Sequence, residues 1–240
     1  MKINPRFFIV PLLAAGLQTA MAGDLTGTIT LSGTPPEPLI NDAIANNPQC
    51  GPLHPDPVKV VFYKVGANNG LADVVIKITN ISAKSTGESA APLILDQKAC
   101  EYIPYINAVQ TGQKIIIKNS DPVMHNVHFN PDLDGGNASK AKNLAEVQGQ
   151  QITVFFTAPE DFLKINCDVH NWMLSYVTVV DNPYFALSDA AGKYKIANVP
   201  PGKYTVEAIH RKANLKKPAT KEIEVKADGA VLDFTIEVPK

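Results

Sequence analysis

The chain has 240 residues and an almost balanced charge, with 22 Lys and Arg against 23 Asp and Glu and a formal net charge of −1. So mild a charge argues against a nucleic-acid-binding protein, and the length allows one or two small domains with real cores. Nineteen prolines and short Val, Ile, Thr and Tyr runs between turn sequences predict an all-β protein.

The first 22 residues have the pattern of an export signal. Lys2 and Arg6 precede an apolar run from Phe7 to Leu17, and Ala20-Met21-Ala22 fits a small-residue cleavage site. The apolar run is short for a bilayer-spanning helix, and an uncleaved anchor is the alternative. We therefore expect a periplasmic mature chain that starts near Gly23, has a formal charge of −3 and contains no integral membrane segment.

Two strand patterns follow the signal, LTGTITLSGTPPEP from Leu25 and GLADVVIKITN from Gly70. Cys50 lies between them. We expect it to pair with Cys100, because the odd third cysteine, Cys167, lies among metal-binding side chains. Two unpaired thiols are the alternative.

The segment NSDPVMHNVHFNPD predicts a turn followed by a short strand that carries His125 and His128. Residues three apart on an extended strand face opposite sides of the sheet, so only one of the two can easily point at a given ion. His125 directly follows the turn, where a loop from another strand can meet it. We expect His125 to be a ligand and His128 to be a packing or surface residue.

The segment NCDVHNWMLSYVTVVD places a thiol, an imidazole and a thioether at the spacing Cys167-x2-His170-x2-Met173. A type 1 copper site uses one thiolate and two imidazoles in a plane, with a weak axial thioether. This segment and His125 together supply that set, with Met173 in the axial position. The alternative is a buried cysteine, two incidental histidines and a core methionine.

The last 59 residues, from Asn182 on, predict a second set of strands. NPYFALSDAAGKYKIANVPPGKYTVEAIH, from Asn182 to His210, has strands joined by Asp-x-x-Gly and Pro-Pro-Gly turns, and KEIEVKADGAVLDFTIEV supplies alternating closing strands. The basic run from Arg211 to Lys217 between them is predicted to be a solvated loop.

The sequences PVMHNVHF and CDVHNWMLSYVTVVD resemble the paired copper-binding motifs of the cupredoxins, whose amicyanin branch shares the short Cys-x2-His-x2-Met loop. The resemblance runs from Ala90 to Asp181. It implies a Greek-key β-sandwich with one type 1 copper ion on the four residues just named. It also implies that Asn126 hydrogen-bonds across to the cysteine loop. The chain departs from the family at Asn171, where proline is usual.

The resemblance implies an electron carrier and not an enzyme, since four protein ligands leave no open position for a substrate. In cupredoxins the C-terminal histidine ligand reaches solvent through an apolar patch. Met124 and Trp172 would form such a patch around His170 and dock a redox protein partner. The alternatives are copper storage or delivery without electron transfer, and an envelope binding module with a structural copper.

The C-terminal pattern resembles the carboxypeptidase regulatory-like, or transthyretin-like, β-sandwich. We expect one smaller discontinuous sandwich from residues 24–85 and 182–240, with the cupredoxin domain inserted at 90–181. The alternative is a cupredoxin with extra N-terminal strands and a separate C-terminal domain. The combination also resembles bacterial exported plastocyanin-like proteins of the methylamine-utilisation type, many of which have a histidine where this chain has Tyr105.

Overall fold

A computed structural model describes residues 21–130 and 143–239 of the protein. The predicted export signal, residues 1–22, lies almost wholly outside the described residues. Within the described ranges, no helix combines the length and the apolar character needed to cross a bilayer.

The described residues form nineteen β-strands, one short helix and three single 3₁₀ turns, which confirms the all-β prediction. The strands, in chain order, are β1 Gly23–Ser32, β2 Leu39–Ile40, β3 Lys59–Val60, β4 Val75–Ile78, β5 Leu93–Lys98, β6 Glu101–Ile103, β7 Ile106–Gln110, β8 Ile115–Asn119, β9 His125–Asn130, β10 Asn143–Glu146, β11 Gln151–Val154, β12 Glu160–Asn166, β13 Leu174–Val180, β14 Phe185–Leu187, β15 Lys193–Val199, β16 Gly202–Ile209, β17 Ala219–Val225, β18 Ala230–Val231 and β19 Phe234–Glu237. The helix α1 spans Asp42–Ala45, and the 3₁₀ turns span Gly51–Leu53, Ala67–Asn69 and Gly87–Ser89.

Two sheets form the first sandwich. One has the strand order β10-β9-β12-β13-β7 and the other the order β11-β8-β5-β6. Alternation along the strands turns Ile115 and Ile117 of one sheet toward Val127 and Phe129 of the other, and all four are buried. The Phe129 ring packs edge-on against Phe156, with centroids 5.7 Å apart. This core fixes the end of the sandwich at which the candidate ligands lie.

The second sandwich is built from both ends of the chain. Strand β1 pairs antiparallel with β15 and parallel with β18 and β19, and the facing sheet has the order β14-β4-β16-β17. Leu25, Ile29 and Phe234 pack against Ile76 and Val206 in its core. An insertion of the first sandwich into the second requires this pairing of β1 with the C-terminal strands. The domain limits of 24–85, 90–181 and 182–240 remain a prediction.

The two sandwiches pack against each other through one sheet of each. Val75, Ile106, Phe162 and Ile209 form a buried apolar cluster between them. Beside this cluster, Lys77 Nζ donates to both carboxylate oxygens of Asp161 at 2.7 and 2.8 Å. The two sandwiches therefore contribute four sheets, apart from the two-stranded β2–β3 sheet, and the candidate metal-binding motifs belong to the first sandwich.

The segment between β2 and β3, residues 41–58, lies over one end of the first sandwich, and we call it the covering segment. It contains α1, and it packs on the first core through Ile44, Leu53 and Val58. A disulfide joins its Cys50 to Cys100 in the turn between β5 and β6. The covering segment is thus attached, covalently and by packing, to the end that holds the candidate ligands.

Candidate metal centre

Three of the predicted ligands meet at one end of the first sandwich. His125 begins β9, while Cys167 and His170 lie in the loop between β12 and β13. The two histidine Nδ1 atoms are 3.0 Å apart, and Cys167 Sγ is 3.8 Å from His170 Nδ1. One donor atom from each residue lies within 4.8 Å of the other two. All three side chains are buried, with at most 2% exposure.

The separations of these donors suit a single metal ion. Donors held at about 2.0–2.3 Å from one ion lie roughly 3–4 Å from each other. One thiol and two imidazoles are also the planar donor set of type 1 copper. The backbone N–H groups of Asn126 and His170 both donate to Cys167 Sγ at 3.4 Å, which fixes the position of the sulfur. The donor set present therefore fits a copper ion.

The loop that carries the ligands is closed by Met173. Its backbone N–H donates to the His170 carbonyl at 2.9 Å, and its carbonyl accepts from the Cys167 N–H at 3.2 Å. The Met173 side chain is buried in the first core. These bonds bring Cys167 and His170 back toward each other, whereas the axial role of the thioether stays a prediction.

Asn126 links the two ligand segments. Its Oδ1 accepts from the backbone N–H of Asp168 at 2.6 Å and from that of Val169 at 3.4 Å. Its carbonyl accepts from the Tyr102 hydroxyl at 2.6 Å. Because Asn126 follows His125 directly, these bonds fix the spacing between the β9 ligand and the cysteine loop.

Asp121 is a residue of this site that the sequence reasoning missed. Its buried carboxylate accepts from His125 Nε2 at 2.8 Å, and from the backbone N–H groups of Ala99 and Cys100 at 2.5 and 2.7 Å. Ala99 and Cys100 have positive φ angles of 54° and 53°, which side-chain-bearing residues adopt only when held there. The carboxylate thereby fixes the disulfide turn and directs His125 Nδ1 toward the other donors. The sequence feature that could have indicated this role is the position of Asp121 in an Asp-Pro turn four residues before His125.

Replacement of Asp121 by asparagine should weaken both the fold and metal binding. The amide cannot accept from three donors at once, so at least one buried N–H loses its partner. We expect a loss of about 1–3 kcal/mol in the free energy of unfolding and a copper affinity about 10–100-fold lower. Urea unfolding of the metal-free protein and a chelator competition titration measure the two effects. Asp56→Asn, in the exposed loop after His54, is the matched control and should change neither.

His128 points away from the other ligands, as the strand geometry predicts. Its Nδ1 lies 3.0 Å from both carboxylate oxygens of Asp168, and about a third of its side chain is exposed. Hydrogen bonds from Asn143 and Asn166 also hold this carboxylate, at 2.5 and 2.7 Å. Bonding to His128, and secondarily to Asn143, keeps the pKa of Asp168 below its usual value.

His170 does not reach solvent, and the expectation that it would do so is wrong. The covering segment lies above it, and one ring nitrogen of His170 lies within 4.8 Å of both disulfide sulfurs, Cys50 and Cys100. Burial, and then the neighbouring His125, lowers the pKa of the His170 imidazole, which favours the neutral ring that binds metal.

The two residues proposed for partner docking differ in their surroundings. Trp172 is partly buried, its Nε1 donates to the Cys100 carbonyl at 3.1 Å, and its ring centroid is 5.2 Å from that of His170. Met124 is 49% exposed, directly before His125. Trp172 therefore contacts both the disulfide turn and a ligand, whereas Met124 presents apolar surface to solvent.

Glu146 gives the region beside the site a pH dependence. It lies opposite His125 in the β9–β10 ladder and is 1% exposed. Burial raises its pKa from 4.5 to about 7, although a hydrogen bond from Gln97 opposes the shift. Between these two values the folded chain holds a proton that the unfolded chain has released, so the free energy of unfolding should fall as pH rises from 4.5 to 7.

Glu146→Gln should remove this dependence, which amounts to about 3 kcal/mol over the whole interval. Urea unfolding of the metal-free protein at several pH values between 4.5 and 7.5 measures it. Glu88→Gln changes an exposed carboxylate and should leave the slope as in the parent chain. An unchanged slope in Glu146→Gln would assign the pH dependence to other groups.

Comparison with known proteins gives one family match and several partial structural similarities. Residues 183–238, well under half of the chain, match the family described as "BOS complex subunit NOMO1-like, second beta sandwich domain". No curated protein sequence matches the chain.

Among solved structures, the Cu-containing nitrite reductase from Thermus scotoductus SA-01 is similar with 15% identity and a TM-score of 0.32, over 44% of this chain and 25% of that one. A methionine-to-alanine mutant of amicyanin with Cu(I) shows 19% identity and a TM-score of 0.32, over 43% of this chain and 97% of that one. An oxidised proline-to-glycine mutant of amicyanin shows 21% identity, the same TM-score, and coverage of 43% and 98%. The chain thus spans about a quarter of the nitrite reductase.

Proposed function

We propose that this protein is an exported type 1 copper protein that carries single electrons between redox partners. His125, Cys167 and His170 would hold one copper ion, with Met173 as the axial ligand. The observation that carries the proposal is the buried convergence of one thiol and two imidazoles from separate segments. Copper bound there would supply a one-electron couple.

Hydrogen bonds from the surrounding residues hold the three donors in place. Asp121 orients His125, Asn126 fixes the cysteine loop against β9, and the backbone N–H groups of Asn126 and His170 donate to Cys167 Sγ. Donors fixed in this way move little when the charge at the site changes, and small movement favours fast electron transfer. With four protein donors there would be no position for a substrate, which supports a carrier over an enzyme.

The covering segment favours a retained metal over one that is delivered elsewhere. Its disulfide and its packing lie directly over His170, so ready exchange of an ion would require that segment to move. A disulfide of buried cysteines also agrees with an oxidising compartment such as the periplasm. Met124 and Val169, each about half exposed, precede the two histidine ligands and offer apolar surface to a redox protein partner.

One optical spectrum of the copper-loaded protein tests the proposal. We expect an intense visible band from a copper–thiolate bond, reversible one-electron electrochemistry, and slow loss of copper to a chelator. A colourless Cu(II) form would overturn the type 1 assignment. An intense band combined with rapid loss of copper to the chelator would favour storage or delivery over electron transfer.

A further inference from the structure

A cavity lies where the two sandwiches and the end of the covering segment meet. It has a volume of about 460 Å³, within the range of about 300–1,000 Å³ found for small-ligand sites. Five aromatic rings line it, from Phe62, Tyr102, Tyr105, Trp172 and Tyr176. Walls of this kind suit a flat apolar ring, which gains from stacking and edge contacts as well as from burial.

The charges around the cavity are mostly positive. Lys59, Lys64, Arg211 and Lys212 line it together with a single acidic residue, Glu101. Lys64 already forms an ion pair with Asp73 at 2.9 Å, whereas none of the other three cations forms an ion pair within the described ranges. Three cations without an ion-pair partner, against the one carboxylate of Glu101, favour an anionic ligand.

Arg211 and Lys212 each lie over an aromatic ring at the cavity, Arg211 partly buried and Lys212 exposed. The Arg211 guanidinium lies 4.1 Å from the centroid of Tyr176, and its Nη2 donates to the Tyr105 hydroxyl at 2.8 Å. The Lys212 ammonium lies 4.1 Å from the centroid of Phe62. The prediction of a solvated basic loop is wrong for Arg211, which the rings of Tyr105 and Tyr176 hold against the first sandwich, whereas Lys212 is exposed as predicted.

Arg211 has N–H groups that are available to a ligand. A guanidinium carries five N–H groups, and the hydrogen bonds of the described residues use one of them. Burial, and then repulsion from Arg211, lowers the pKa of Lys212, as expected for two neighbouring cations without an anion between them. Burial raises the pKa of Glu101, the one acidic group of the lining. A carboxylate from outside would relieve this imbalance.

We propose that this cavity binds a small aromatic carboxylate, with the ring between the aromatic walls and the carboxylate on Arg211 and Lys212. An inorganic anion would leave the apolar walls unfilled, and a neutral ring would leave the cations uncompensated. The cavity adjoins the candidate metal centre, since Trp172 and Met173 line it, but the aromatic walls and cations that carry this proposal do not include His125, Cys167 or His170.

Trp172, the only tryptophan of the chain, lines the cavity and reports on binding directly. Benzoate titrated into the metal-free protein should change its fluorescence in a saturable way, with a matching heat in calorimetry. Benzyl alcohol, which has the ring without the charge, and acetate, which has the charge without the ring, should each bind at least about tenfold more weakly. Added salt should weaken benzoate binding.

Substitutions at the two cations complete the test. Arg211→Gln should weaken benzoate binding at least about tenfold, and Lys212→Gln, at an exposed position, should weaken it severalfold. Lys193→Gln, an exposed lysine outside the cavity, is the control and should bind as the parent chain does. The proposal is overturned by the absence of a saturable response to benzoate, by equal binding of benzyl alcohol, or by unchanged binding in both variants.

Discussion

Replacement of Cys167 by serine is expected to abolish the visible absorption of the copper-loaded protein and to weaken copper binding by at least about 100-fold. A serine hydroxyl has nearly the shape of the thiol but does not ionise at neutral pH, so the one charged donor is lost. Removal of residues that only orient a ligand typically lowers metal affinity about 10–100-fold, and loss of the ligand itself should exceed this. Optical titration with Cu(II) and chelator competition measure the two effects.

The matched control for this substitution is His128→Ala. His128 lies on the same strand as His125 and is about a third exposed, and among the ionisable groups of residues 21–130 and 143–239 it contacts Asp168 alone. We expect its removal to leave the spectrum unchanged and to alter the free energy of unfolding by at most about 1 kcal/mol. A Cys167→Ser variant that keeps an intense visible band would refute the proposed copper–thiolate site.

Removal of the disulfide through Cys50→Ala combined with Cys100→Ala is expected to lower the free energy of unfolding of the metal-free protein by about 4 kcal/mol. The two cysteines are 50 residues apart, and a cross-link over such a loop restricts the unfolded chain by about this much. Both side chains are fully buried, so the lost sulfur contacts add to the effect. Urea unfolding followed by circular dichroism measures the change.

The same double variant should loosen the covering segment over His170. Trp172, whose Nε1 donates to the Cys100 carbonyl, should then show red-shifted emission in the folded state. Gln49→Ala, next to Cys50 but exposed, should leave stability and emission unchanged. A stability loss below about 1 kcal/mol would mean that packing of Ile44 and Val58 alone holds the segment.

The residues that meet at the site were predictable because their chemistry is local. The spacing of Cys167, His170 and Met173 places them in one loop, and the two-residue period of a strand separates His125 from His128. The all-β class followed equally from turn sequences and β-branched runs. Each of these inferences depends on residues that are close together in the sequence.

The features that were not predicted from the sequence depend on contacts between distant segments. Nothing near His170 in the sequence indicates that Cys50, more than a hundred residues earlier, lies beside it. The turn at Ala99 and Cys100 has positive φ angles but contains no glycine, which would have indicated them. The hydrogen bonds from this turn to Asp121 were therefore not predicted either. Arg211 looked like a loop cation because its aromatic partners come from the other sandwich.

The place of β1 in the second sandwich bears on how the polypeptide acquires its structure during synthesis. This strand is translated early, yet its hydrogen-bonding neighbours β15, β18 and β19 arrive only with residues 193–237. The strands from β5 to β13 find all their partners among themselves and can assemble sooner. A chain truncated before β15 would leave β1 without strand partners, and such an unpaired strand can pair with other molecules and aggregate.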